Sequence, residues 1–419
     1  MPRLPGLVYT DHVIEVPLDH SDPAGTSITV FAREVVAVDK VGEELPWLLF
    51  LHGGPGGMAP RPSGVDGWLG HALKTHRVLL LDQRGSGRST PLTARTVAGM
   101  EPAALAAYLR HFRADSIVAD AEILRHRIAG GARWETLGQS YGGFVTLTYL
   151  SRAPEALRAC YITGGLPGLT ATAEEVYTRL YPRVAARNAE YYRRYPDDVA
   201  AVRAIADHLD STPVYLPDGD RLTTQRLRTL GMAFGVRGGF ERVHWLLESA
   251  WHGAELSDTF LYQVMTETGF IDAPIYALQE FIYGQGNTPT AWAAQRVLDR
   301  YPEFRLDAVP LLFTAEMIYP WMFREIKALR PFAEAAELLA AADDWPPLYD
   351  LERLAANEVP VAAAVYFDDI YVDADLQLQT ARAVGNTQVW VTNEYDHDGI
   401  RIAGGQILPR LMDMAAGRR

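Results

Sequence analysis

The stretch Leu137-Gly138-Gln139-Ser140-Tyr141-Gly142-Gly143 decides how the rest of the chain is read. A strand-like run precedes it (134–137) and an apolar helical run follows it (144–150), which predicts a tight strand-to-helix turn with Ser140 at its apex. The reason is steric. Gly138 and Gly142 let the turn close without Cβ clashes and push the Ser140 hydroxyl out at the carboxyl end of the strand. Pro154 stops the helix. Five residues of this kind also describe a glycine-rich turn that merely exposes a serine, so the weight falls on the surrounding chain.

Upstream, residues 12–17 and 28–38 alternate as two antiparallel strands joined through the turn Asp22-Pro23-Ala24-Gly25. The continuous apolar run 47–51 suits a strand buried on both faces. It ends in His52-Gly53-Gly54-Pro55-Gly56-Gly57, a loop whose backbone N–H groups are free to face a ligand. No Gly-Lys-Ser/Thr follows, which argues against a nucleotide phosphate loop. A second buried strand, 77–81, runs into Asp82-Gln83-Arg84-Gly85, where Arg84 is expected to fix the loop. Helical periodicity covers 115–128, and a further strand is expected at 159–162.

From about residue 165 to 304 strand signals give way to amphipathic helices, at 176–192, 196–209 and 240–250. Strand-like runs return at 309–314, 359–367 and 387–392, with an alanine-rich helix at 332–342. The pattern predicts an α/β fold: a mostly parallel, doubly covered sheet in two parts (1–164 and 305–419) with a mainly helical cap, 165–304, inserted between them. In such sheets ligands bind beyond the carboxyl ends of the strands, where the motifs named above fall.

Composition narrows the partners. Hydrophobic residues make up 48% and charged residues 22%, an ordinary globular balance. The net charge of −13 disfavours nucleic acid. Cys160, the single cysteine, excludes an intramolecular disulfide and reads as a core residue. No run is long enough to span a bilayer and no signal-peptide pattern opens the chain, so the expected location is cytoplasmic.

A serine hydroxyl needs a base within hydrogen-bond reach before it attacks. Of the 11 histidines, His397 lies in the loop after the last predicted strand, in Asn393-Glu394-Tyr395-Asp396-His397-Asp398-Gly399. His52 suits a loop-shaping role. The base needs an acid to hold its tautomer. Asp368 and Asp369 follow the strand at 359–367; Asp369 is favoured because apolar Val372 lies three positions on, with Asp368 as the alternative. The order Ser, Asp, His is that of α/β-hydrolases. Two N–H donors should hold the developing oxyanion, one from Tyr141, the other from Gly54 or Gly53. No calcium loop or zinc spacing surrounds these residues, so no metal or other cofactor is expected.

With His52-Gly-Gly-Pro-Gly56, Asp82-Gln-Arg-Gly85 and Gly138-Gln-Ser-Tyr-Gly-Gly143 in order, the whole chain resembles the prolyl aminopeptidases, or proline iminopeptidases, in their longer bacterial form. The resemblance implies a serine exopeptidase that removes N-terminal proline from small peptides with a free terminus, using Ser140, Asp369 and His397, with release of other small N-terminal residues left open. It also implies that Glu280 and Glu316 grip the substrate's amino terminus, with Tyr283 and Tyr319 walling a flat pyrrolidine pocket. Chemistry asks for such carboxylates independently, because an ammonium entering a closed pocket loses its hydration. Two other readings stay open: an esterase or other acyl hydrolase, which needs no amine anchor, and a non-catalytic ligand-binding protein on the same fold.

Overall fold

The computed structural model describes residues 3–418. Among them, nine strands form one sheet. They are β1 (Arg3–Leu4), β2 (Leu7–Pro17), β3 (Ser27–Ala37), β4 (Trp47–Leu51), β5 (Arg77–Asp82), β6 (Trp134–Gln139), β7 (Leu157–Thr163), β8 (Val361–Tyr366) and β9 (Thr387–Thr392). Their spatial order is β1-β2-β3-β5-β4-β6-β7-β8-β9. β2 and β3 form a long antiparallel pair running from Leu7↔Ala37 to Pro17↔Ser27, and β3 meets β5 antiparallel. From β5 to β9 every pairing is parallel.

The helices that matter here are α1 (Gly67–Ala72), α2 (Ala114–Ile128), α3 (Tyr141–Arg152), α4 (Ala173–Arg194), α5 (Asp198–Ser211), α6 (Gly239–Glu248), α7 (Ala293–Leu298), α8 (Ala374–Ala383) and α9 (Gly399–Ala415). Side chains alternate across the sheet, so a strand without polar residues feeds two cores at once. Leu48, Phe50, Val78 and Leu80 pack with Leu69 of α1 and Ile407, Leu408 and Leu411 of α9. Leu49, Leu51, Leu79 and Leu81 pack on the other face with Ile117 and Leu124 of α2 and Val145 of α3. Both faces are therefore covered, and the carboxyl ends of β4, β6 and β7 meet at one rim.

Between β7 and β8, the described residues add no strand to this sheet. That stretch contains α4 to α7 and two short hairpins, Val214–Tyr215 with Arg221–Leu222 and Trp251–His252 with Glu255–Leu256. The long helix α4 begins at Thr172, whose side chain accepts from the Glu175 backbone N–H. It buries Tyr177, Leu180, Tyr181 and Val184 along one stripe.

The strand expected at 309–314 is absent. Pro310 has no N–H for a ladder, and the groups that follow find other partners. Phe313 N–H donates to Asn188 Oδ1 at 2.8 Å, Thr314 N–H to the Arg228 carbonyl at 2.9 Å, and the Leu311 carbonyl accepts from the Tyr192 hydroxyl at 2.5 Å. An apolar run buried among helices satisfies its backbone through side chains, a choice that periodicity does not register.

Close packing at the turn into α3 admits nothing larger than glycine. A Cβ on Gly142 would stand 1.9 Å from the Leu51 carbonyl oxygen of β4. Gly142→Ala is expected to destabilise the fold by about 3 kcal/mol, since backbone rather than a flexible side chain must move. The midpoint of urea unfolding measures it, and an unchanged midpoint would show that the β4–α3 contact is looser than this.

Candidate active site

Ser140 occupies the turn between β6 and α3 at φ 54°, ψ −124°. A serine in that region is strained and persists only where the surroundings hold it. The hold is visible: Ser140 N–H donates to the Thr163 carbonyl of β7 at 2.9 Å, and the Ser140 carbonyl accepts from Gly143 N–H at 2.7 Å. The loop after β4 presses on the same residue, because a Cβ on Gly53 would lie 2.9 Å from Ser140 Cβ. Gly54, at φ 127°, follows directly. The N–H of Tyr141 begins α3, where helix geometry leaves the first amides without intrahelical partners.

His397 enters from the loop between β9 and α9, its backbone N–H donating to the Gly235 carbonyl at 3.0 Å. Its Nδ1 donates to Asp369 Oδ2 at 2.7 Å. Asp369 is buried, and its second oxygen accepts from the N–H groups of Tyr371 at 2.8 Å and Val372 at 3.1 Å. Those bonds fix the carboxylate plane, and Asp368 is left exposed. Burial opposes the charged form of His397, but the charge and hydrogen bond of Asp369 outweigh it, with Glu316 and Asp398 adding to them. The imidazole is thereby held above its ordinary value. The ring also meets Tyr371 edge-on at 4.9 Å.

Ser140 and His397 flank one turn, Gly164-Gly165, at the end of β7. A Cβ on Gly164 would stand 3.2 Å from His397 Nδ1, and one on Gly165 would stand 2.3 Å from the Ser140 carbonyl oxygen. His52 lies beside them with Nδ1 bonded to the Gly53 carbonyl at 2.9 Å, and burial keeps its ring below the ordinary value. Arg84 anchors the layer beneath, fully buried, with Nε on Asp120 Oδ2 at 2.7 Å and Nη1 on the carbonyls of Leu18 and His111.

The segment Pro274–Tyr283 lies over this rim. Ile275 fills the space above Gly56, where a Cβ would come within 2.0 Å of its Cγ2. The Tyr276 hydroxyl donates to Glu316 Oε1, and Glu316 is close enough to add to the charge acting on His397. Tyr283 stands 6.3 Å from Phe144 of α3 and 6.2 Å from Tyr177 of α4, ring to ring. The Tyr177 hydroxyl is buried without a hydrogen-bond partner among the described residues, and the charges of Glu280 and Glu316 oppose its ionisation.

Glu280 is buried at the start of α7, where its two oxygens accept from the N–H groups of Ala293 at 3.1 Å and Ala294 at 2.8 Å. Burial pushes its carboxyl up to about 7, against the pull of those amides and of the Thr290 hydroxyl. Tyr319 lies deeper, fully buried, its hydroxyl 3.0 Å from that of Tyr181. Tyr276, Tyr371 and Tyr177 were not singled out from the sequence; the local signals available were Tyr276 preceding Glu280 by four residues and Tyr371 following Asp369 by two. His397, Gln139, Tyr276 and Tyr371 line a cleft of about 810 Å³. Among the described residues no group of three or more His, Cys, Asp or Glu side chains is arranged to hold a metal ion.

A parallel sheet covered on both faces, with a strained serine at one strand end and a buried His–Asp pair beside it, defines the α/β-hydrolase class. The family model of the alpha/beta hydrolase fold accordingly matches residues 46–268. Proline iminopeptidase of Aeromonas sobria is 46% identical over 412 residues, 98% of this chain and 97% of that protein. A proline iminopeptidase of Aspergillus aculeatus is 35% identical over 418 residues, 96% of this chain and 93% of that one. The chain belongs to the proline iminopeptidase family.

Proposed function

We propose that the protein is a serine exopeptidase that releases N-terminal proline from peptides through an acyl-enzyme, beneath a cap formed by residues 165–304. Ser140 attacks the first peptide carbonyl. With Nδ1 of His397 committed to Asp369, the neutral ring keeps Nε2 as the acceptor for the serine proton and returns that proton to the leaving amine. Asp369 stabilises the imidazolium as it forms. The N–H groups of Tyr141 and Gly54 bind the oxyanion, each contributing roughly 3 kcal/mol in comparable sites. Water then attacks the prolyl ester, and His397 again takes and returns the proton.

What carries the exopeptidase reading is the position of Glu316: a carboxylate under the cap, held by Tyr276 and near enough to His397 to influence it. A carboxylate there repels an acyl chain but pairs with the ammonium of a substrate's first residue. Glu280 supplies a second charge, and Tyr283 flanks the ring, while Tyr319 supports the wall from behind. The names of the two relatives given above agree with this substrate class.

The test is a pair of amides, prolyl β-naphthylamide and its N-acetylated form. The free amide should be cleaved at least about a hundredfold faster in kcat/KM, because losing one buried ion pair costs about 3–5 kcal/mol. A fluorophosphonate should label Ser140 in proportion to the activity lost. Equal rates on the two amides, or preference for aryl esters over both, would return the protein to the general acyl hydrolases.

A further inference from the structure

A second cleft, of about 880 Å³, opens at the start of α4 and shares no lining residue with the cleft that His397 lines. Tyr283, Thr290 and Tyr349 line it, with Thr170 and Thr288 exposed at its mouth. Tyr283, half-buried, shows part of itself to the cleft while its ring packs on Phe144 and Tyr177. Thr290 faces the same cleft and hydrogen-bonds Glu280. Tyr283 and Thr290 thus connect this opening to Phe144 of α3 and to Glu280.

We propose that the second cleft is the exit for the amino acid released on deacylation, with Tyr283 as the gate, while the peptide enters and its shortened remainder leaves past His397. This rests on the function proposed above. His397 must reach the leaving amine, so the departing chain lies in the cleft that His397 lines. The acyl residue, held by its ammonium at Glu280 and Glu316, reaches toward Glu280, which Thr290 of the second cleft hydrogen-bonds. Once water has cleaved that ester, the product is a small zwitterion whose ammonium still sits at the Glu280 end of the site, next to Thr290 of the second cleft. The second cleft offers it hydroxyls from Thr290 and Thr170 and the charged side chains of Arg179 and Arg296, a path on which neither end of the zwitterion is stripped of polar partners. A rotation of the Tyr283 side chain joins the two spaces.

The experiment narrows the mouth at two independent exposed positions, Thr170→Trp and Thr288→Trp, and follows prolyl β-naphthylamide through steady state and the first turnover. Slowing a step after naphthylamine departs lowers kcat and KM together and leaves kcat/KM unchanged, with a burst of one naphthylamine per enzyme. A fall in kcat of roughly tenfold with that burst in either variant is the expected result. Unchanged kcat and burst in both variants would overturn the exit, and so would a fall in kcat/KM, which would make the cleft an entrance. Ser63→Trp, at the mouth of the other cleft, should instead lower kcat/KM for longer peptides. Failure of the wild-type enzyme to prefer the unblocked amide sinks the parent proposal; wild-type preference with indifferent Trp variants sinks the exit alone.

Discussion

Asp369→Asn is expected to lower kcat by about 10⁴-fold, the scale of this substitution in comparable triads. The asparagine keeps the shape but turns an NH₂ toward Nδ1, so the imidazole flips tautomer and Nε2 carries a proton it should be accepting. The two amides that hold the present carboxylate, from Tyr371 and Val372, keep the side chain in place, so geometry alone does not account for the loss. Asp368→Asn, on an exposed side chain, should leave kcat within about twofold. The pH profile separates a lost charge from a misfolded loop. In the mechanism proposed above His397 must be neutral to act as base, and its folded value lies above the ordinary 6.5, so kcat/KM of the wild type should fall as pH drops through a point above 6.5. Without Asp369, burial is left to dominate, and the acid limb of any residual activity should move to lower pH. A limb that stays put would mean that Asp369 is not the charge that raises the imidazole.

Glu316→Gln should lower kcat/KM for unblocked prolyl amides by about 10² to 10³, the cost of leaving a buried ammonium without its partner. Reaction of Ser140 with a fluorophosphonate, which carries no ammonium, should be unchanged. Glu280→Gln should show a loss of similar size together with a second effect. Its carboxylate accepts from both Ala293 and Ala294, and an amide offers only one acceptor, so the start of α7 loosens and the melting temperature falls by several degrees. The pH dependence has a definite sign. Glu280 titrates at about 7 in the free protein, and only its ionised form pairs with an ammonium, so affinity for the free amine strengthens as pH rises through 7. Binding of that ammonium draws the carboxyl back down. Glu280→Gln removes this component, and substrate binding that keeps the same rise near pH 7 would count against the assignment.

Much of the hydrolase core is legible in the sequence. Trp47–Leu51 and Thr387–Thr392 have the strand limits expected of them, the first an apolar run behind Pro46 and the second a run rich in β-branched residues between Asn386 and Asn393, which leave little freedom in where a ladder starts and stops. The serine turn was legible for a similar reason. Gly138 and Gly142 serve contacts made within a few residues or with the adjoining strand, and local contacts write themselves into local sequence. Between β7 and β8 the sequence was legible mainly as helical. The segment around Phe313 reads as a strand by composition, yet Asn188, Tyr192 and Arg228, more than 80 residues upstream, take the backbone groups that a ladder would have used.

What the sequence by itself determined is the alternation that makes a parallel, two-faced sheet and the glycine spacing that strains Ser140 into its turn; both follow from sterics and burial acting over a few residues. Tertiary structure alone decided that Glu316 is held by Tyr276 and that Glu280 sits on the amides of α7, and it turned the preference for Asp369 over Asp368 into a contact with His397. Each of those is a contact between segments separated by 13 to 40 residues. Whether a carboxylate ends as a solvated surface charge or as a desolvated partner depends on what the rest of the chain packs around it, and no short-range pattern carries that information.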